Sequence, residues 1–237
     1  MRQMSLPEFG AEGQRKLSTA RVLIVGLGGL GSVLSYCLTG MGVGRLTLMD
    51  PDLVEEHNLD RQFLYTEEDI GRPKAQAAAR RLTRLNHEAD IEATAQTFTA
   101  ETELVPGQYD VVLATTDSRE SRLNINRACC GAKLPLICGG VAGLYGTLQV
   151  VVPGRTPCVR CAGGDETWSD HAPSPAPVVS ALSALMAQAA VGVLCGWALP
   201  QNELILLDGK RFELEHIPVR RREDCPHCRE LTEEKIC

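Results

Sequence analysis

Four of the ten cysteines fall into two close pairs, Cys158-Val-Arg-Cys161 and Cys225-Pro-His-Cys228. Each pair is a C-x2-C knuckle, and two knuckles supply the four thiolates of a closed tetrahedral metal site with no position left for a reactant. Structural zinc is the expected occupant; an iron–sulfur cluster and a redox dithiol pair are the alternatives. Sixty-three residues lie between Cys161 and Cys225, more than in a compact zinc ribbon, so the metal is expected to tie the C-terminal tail to a distant loop. His227 is a poorer substitute ligand, because it sits directly beside the second pair. Cys37, Cys129, Cys130, Cys138, Cys195 and Cys237 are scattered, as small buried apolar filler is.

A second group of residues points to nucleotide chemistry. Val22 to Val25, with Arg21 ahead, reads as a short buried strand, and Gly26, Gly28 and Gly31, with Gly29 between them, form a G-x-G-x-x-G turn into an apolar helix. Glycines there let backbone N–H groups approach a phosphate at a helix N-terminus. Asp50 closes the next strand at about the spacing of a carboxylate that holds a ribose hydroxyl. Asp52, Asn58, Arg61, Gln62, Lys74 and Asp117 are individually ordinary surface residues. Together, cations and carboxylates near strand ends suit a triphosphate and its Mg2+, since phosphoryl chemistry is largely positioning and charge stabilisation. Lys74 follows Pro73 at a helix start, where the dipole disfavours a cation, which hints at an anionic ligand nearby.

The elements that must position these residues alternate. Strands are expected at 21–25, 45–50, 90–98, 109–117 and 134–138, with helices from Ser32 to Gly40, after Pro73 and over 119–132. That order predicts a Rossmann-like, doubly wound α/β sheet with its ligand along the C-terminal strand ends. A polar arm, residues 1–20, precedes it with a short helix over 7–17. The irregular segment 51–63 is where functional loops tend to lie. From 141 onward the pattern changes to short strands at 146–152, 203–207 and 211–216, read as an antiparallel continuation of the same sheet. Residues 162–177 are rich in Gly, Pro, Ser and Asp, as loops are. Residues 1–237 are therefore expected to form one domain, with an arm (1–20), a nucleotide-binding half (21–140) and an antiparallel, metal-tethered half (141–237).

Bulk properties exclude several classes. A net charge of -6 and 4% aromatic residues argue against a nucleic-acid partner. No secretory leader is visible, and cysteine-rich chains without one point to a reducing, cytoplasmic compartment with metal or thiol chemistry. Val178 to Leu199 carries no charge and approaches membrane-spanning length. Its Ala, Ser and Gly content, its central Gln188 and its lack of anchors on both sides favour a helix in a domain or dimer core.

The glycine turn, Leu48-Met-Asp50, Asn58-Leu-Asp-Arg-Gln62, Gly71-Arg-Pro-Lys74, Thr115-Thr-Asp117 and the two C-x2-C pairs together resemble the ThiF/MoeB/HesA family, bacterial relatives of ubiquitin-activating enzymes. The resemblance spans nearly the whole chain, in order. It implies ATP-dependent adenylylation of the C-terminal glycine of a ubiquitin-like sulfur-carrier protein, with release of pyrophosphate, for thiamine or molybdenum-cofactor synthesis. It implies that the glycine turn and Asp50 hold adenosine and ribose, and that Asn58, Arg61 and Lys74 hold phosphates. Asp117 would lie by the α-phosphate and Mg2+, and Arg2 would reach the active site of the other subunit of a homodimer. The zinc would be structural. Some relatives carry a cysteine in the loop after the first C-x2-C; here 162–194 has none, and Ser169 or Asp170 lies near that place. An adenylyl-only mechanism with a separate sulfur-donor protein is therefore expected. The competing readings are an NAD-dependent oxidoreductase, which leaves Arg61, Lys74 and the cysteine pairs unexplained, and a non-catalytic dimeric scaffold, which has no need of the charges.

Overall fold

The structure, a computed structural model, describes residues 2–163 and 173–231. Its strands are β1 (Arg21–Val25), β2 (Arg45–Met49), β3 (Asp90–Thr94), β4 (Val111–Ala114), β5 (Leu136–Ala142), β6 (Tyr145–Val151), β7 (Glu203–Asp208) and β8 (Glu213–Pro218). The helices are α1 (Gly10–Thr19), α2 (Gly29–Gly40), α3 (Lys74–Leu85), α4 (Arg119–Ala132) and α5 (Ala176–Cys195). One sheet runs in the order β3-β2-β1-β4-β5-β6-β7-β8. The first five strands in that order are parallel, and β6, β7 and β8 continue them antiparallel. The direction of winding reverses between β1 and β4, and in such a sheet the crevice at that switch point is where a ligand binds.

Burial explains the apolar runs. Val22–Val25 and all of β4 are buried, as parallel strands covered on both faces require. One core lies between the sheet and α2, α3 and α5, with Leu34, Leu38, Leu82 and Leu182 fully enclosed. A second lies beneath α4 and holds Val25, Ala114, Ile125 and Cys129. Among the described residues α5 alone is long and apolar enough to cross a membrane, but 61% of its apolar window is buried. It packs on α2, β5 and β6 instead, which accounts for a helix apolar on most faces. Gly196, at φ +76, ends it, its N–H bonding to Gly192 O and Val193 O.

Several boundaries differ from the sequence expectation for identifiable reasons. The arm is folded onto the body: α1 begins at Gly10 after a turn at 6–9, Lys16 Nζ donates to Cys195 O at 3.0 Å, and Trp197 Nε1 donates to Glu8 O at 3.2 Å. β3 ends at Thr94, short of the alternation to Phe98. β4 is shorter than 109–117: it spans Val111–Ala114, and at Thr115 the hydroxyl bonds the glycine turn. β8 starts at Glu213, since the N–H groups of Lys210 and Arg211 both donate to Asp208 Oδ1 in the preceding turn. Cys237, Ser169, Asp170 and most of the polar 162–177 segment lie outside the described residues.

Candidate functional site

The site is built around the turn from β1 into α2. Gly26 has φ +94, a conformation that disfavours side chains, and a Cβ on Gly31 would stand 2.0 Å from Gly26 O. These two positions need glycine for the turn itself. The turn is held from three sides. Asp50 Oδ2 accepts the Leu27 N–H at 2.6 Å and its Oδ1 accepts the Asp52 N–H at 2.8 Å. Tyr65 OH donates to Leu27 O at 2.9 Å. The Thr115 hydroxyl reaches Gly26 O at 2.6 Å and Val25 O at 3.0 Å. Gly28, the N-cap of α2, makes no side-chain cap, so the first N–H groups of this helix are left for other acceptors.

In front of the turn, at the C-terminal ends of β1, β2 and β4, lies a cavity of about 710 Å3. Gly26, Gly28, Gly29, Asp50, Asp52, Asn58, Arg61, Gln62, Lys74 and Asp117 all line it. The structure thus brings together nearly every site residue the sequence nominated. Gly31 lies behind the turn, and neither it nor Arg2 lines this cavity. Lys74 is the first residue of α3 and is buried, with Nζ 2.9 Å from Asp52 Oδ2. Asp50 is also buried; desolvation pushes its carboxyl above the usual range, opposed by the Lys74 ammonium and by the Leu27 and Asp52 N–H groups. Arg61 extends along the loop, bonding His57 O at 3.0 Å and Asp60 Oδ1 at 2.7 Å. Asn58 is buried and caps its own short turn, its Oδ1 accepting the Glu55 N–H at 3.0 Å. Gln62 is buried with its Oε1 unpaired.

Sequence reasoning missed Tyr65, Phe98 and Arg122 as parts of this site, and named Thr115 within the Thr115-Thr-Asp117 motif without its bond to the turn. Phe98 and Arg122 line the cavity, and Arg122 Nε donates to Thr116 O at 2.7 Å, tying α4 to the β4–α4 loop. Arg122 carried the same signal as Lys74, a cation in the opening turn of a helix. Tyr65 acts through the backbone of Leu27, distant in sequence, so no local pattern reveals it.

The four knuckle thiols meet behind α4. Sγ separations are 3.8 Å for Cys158–Cys161, 3.6 Å for Cys158–Cys225 and 3.5 Å for Cys161–Cys228, with all four sulfurs within 4.8 Å of one another and all four residues buried. A tetrahedral zinc with Zn–S bonds of about 2.3 Å sets its sulfurs roughly 3.8 Å apart, whereas a disulfide needs about 2.05 Å. The set therefore fits a metal centre. His227 is not turned into it, since its Nδ1 lies 2.7 Å from Asn126 Nδ2.

Comparison with known proteins agrees with this architecture. The sequence profile of the ThiF family matches residues 1–227. The chain belongs to the ThiF family. Within it, the chain is 40% identical over 233 residues to the sulfur carrier protein ThiS adenylyltransferase of Escherichia coli, covering 96% of this chain and 93% of that one. It is 34% identical over 234 residues to the molybdopterin-synthase adenylyltransferase of the same organism, covering 96% and 94%. Among solved structures, E. coli MccB crystallised with AMPCPP and MccA superposes with a TM-score of 0.81 at 25% identity, over 93% of this chain and 70% of that one. The sheet superposes on that of MccB, which covers nearly all of this chain.

Proposed function

We propose that the protein is an adenylyltransferase that activates the C-terminal Gly-Gly carboxylate of a ubiquitin-like sulfur-carrier protein, in thiamine or molybdenum-cofactor synthesis. The observation that carries this reading is the cavity itself. A glycine turn opening a helix faces Lys74, Arg61 and Asp117 at the switch point of the sheet, in a chain 40% identical to a ThiS adenylyltransferase. The carrier carboxylate attacks the α-phosphorus of ATP, a P–O bond forms to the carboxylate, and the bond to the leaving pyrophosphate breaks. Negative charge grows on the α-phosphate oxygens and on pyrophosphate, where the Arg61 guanidinium and Lys74 ammonium offset it. The glycine turn and Asp50 hold adenosine and ribose, Asn58 and Gln62 the phosphate chain. Asp117 would supply a hard oxygen donor of the kind Mg2+ takes, and the bound ion would add charge neutralisation.

The remaining parts of the reading follow the same chemistry. Residues 1–237 act as one domain, with the arm at 1–20 and the two halves meeting at β5. A homodimer brings Arg2 toward the partner's cavity, and a separate protein donates sulfur after adenylylation. Structural zinc occupies the four thiols, in keeping with a reducing cytoplasmic setting. The test is carrier-dependent exchange of labelled pyrophosphate into ATP with Mg2+ and candidate carriers ending in Gly-Gly. Exchange with one carrier is expected; none with any carrier encoded in the same genome would leave the scaffold reading.

A further inference from the structure

Behind the nucleotide cavity, one uncharged side chain joins the two halves of the metal centre. Asn126 on α4 is fully buried. Its Oδ1 accepts the backbone N–H of Val159, inside the first knuckle, at 3.0 Å. Its Nδ2 lies 2.7 Å from Nδ1 of His227, inside the second. Only a carbonyl oxygen can accept the Val159 N–H, which fixes the orientation of the amide and leaves its N–H groups for an acceptor, the imidazole nitrogen. Cys130, one helical turn further on, lies in the same buried cluster as Cys158 and Cys161, so α4 packs directly against the first knuckle.

We propose that Asn126 is a positioning residue of the metal centre: its carboxamide holds the two knuckles at the spacing the metal takes. The knuckles are 63 residues apart in the chain, and the Asn126 side chain bonds to both. The same helix starts at the β4–α4 loop, where Arg122 binds Thr116 O beside the nucleotide cavity. The carboxamide therefore anchors the metal to the element that borders the active site. The inference rests on zinc filling the four-thiol cluster.

Asn126→Asp tests it, because the variant keeps the shape and the acceptor for Val159 N–H but replaces the amide donor beside His227 with a carboxylate. Zinc content would be measured on the purified full chain, and zinc release followed with a chromogenic chelator. Release is expected to be 10–100-fold faster than in the parent, the range typical of residues that orient metal ligands. His227→Ala, which removes one partner of the amide and leaves the thiols intact, should accelerate release by a smaller factor. Melting of the metal-free proteins should be nearly the same for parent and His227→Ala. The proposal is overturned if Asn126→Asp releases zinc at the parental rate. It is also overturned if the metal-free parent and His227→Ala differ in melting as much as the zinc-loaded ones, since the contact would then serve packing alone. A parent protein that purifies without zinc would defeat the zinc reading itself, a different failure from unchanged release.

Discussion

At the scale of single residues, the cavity depends on charges placed where burial opposes them. Asp50 is pushed above the ordinary carboxylate value of 3.8 by desolvation, and Lys74 is the leading influence holding it down. The ionised carboxylate is the form that accepts the Leu27 and Asp52 N–H groups and would accept ribose hydroxyls. Rate should therefore fall as pH drops through the Asp50 pKa. Lys74→Met removes the ammonium, so that pKa rises and the acid limb of kcat/KM for ATP moves to higher pH, on top of a rate loss of about 10²–10³. A pH profile of pyrophosphate exchange checks this, and a limb that stays in place would contradict it. For stability the sign is the reverse of that for a salt-bridged surface carboxylate. The folded pKa lies above the unfolded one, so the folded state binds the proton more tightly, and the contribution of Asp50 declines as pH rises between the two values. Tyr65→Phe acts without charge. It deprives the buried Leu27 carbonyl of its 2.9 Å donor, which should cost about 1–3 kcal/mol of stability and loosen the turn. Thermal melting should fall, and KM for ATP should rise more than kcat drops.

At the scale of elements, the turn between β1 and α2 separates two kinds of glycine. A Cβ at Gly31 would overlap the Gly26 carbonyl at 2.0 Å, whereas at Gly28 the nearest atom would be Gln62 Nε2 at 3.8 Å, on the cavity side. Gly31→Ala is expected to force α2 off the strand and lower the melting temperature by several degrees, losing nucleotide binding with it. Gly28→Ala should melt close to the parent yet bind ATP more weakly, because its methyl enters the space the nucleotide would occupy. Calorimetry of ATP binding beside thermal melts distinguishes the two. The same contrast explains how much the sequence disclosed. The glycine spacing, Asp50, Lys74 at the start of α3 and the knuckles were legible because local spacing alone determines them. Helix α4 was legible to the residue, since Ser118 caps it and Lys133 ends it in the left-handed region. The support from Tyr65, Thr115 and Asn126 was not, because each bonds atoms between 33 and 101 positions away. The end of β3 was overextended because its alternation continues to Phe98 after the ladder stops at Thr94. Beyond Ala114 the Thr115 N–H still pairs with Val25 O, while its hydroxyl bonds the glycine loop.

At the scale of the whole molecule, the metal centre closes the chain on itself. The first knuckle follows β6 and the second follows β8, so the thiols join the two ends of the antiparallel extension against α4. Apart from the thiols, the tail is held by Arg221, which donates to Gly154 O at 3.4 Å and to the carbonyls of Cys228 and Leu231, and by the Asn126–His227 contact. In the chain-entropy description, a cross-link closing a loop of this length removes about 4 kcal/mol of unfolded-state freedom. That is a large part of the 5–15 kcal/mol by which a typical domain is stable. Removing the metal should therefore free residues 219–231 before the sheet opens, because the core between the sheet and α2, α3 and α5 does not involve the thiols. The sequence Arg220-Arg-Arg222 places trypsin sites in that tail. With a high-affinity chelator present, limited trypsin digestion should cut first within 220–222 and leave a fragment that retains ATP binding. The zinc-loaded protein should resist under the same conditions, and added zinc should restore resistance in uncut protein. Mass spectrometry of the first product decides the matter. First cuts elsewhere, or equal cleavage with and without chelator, would mean that the antiparallel strands rather than the metal hold the tail.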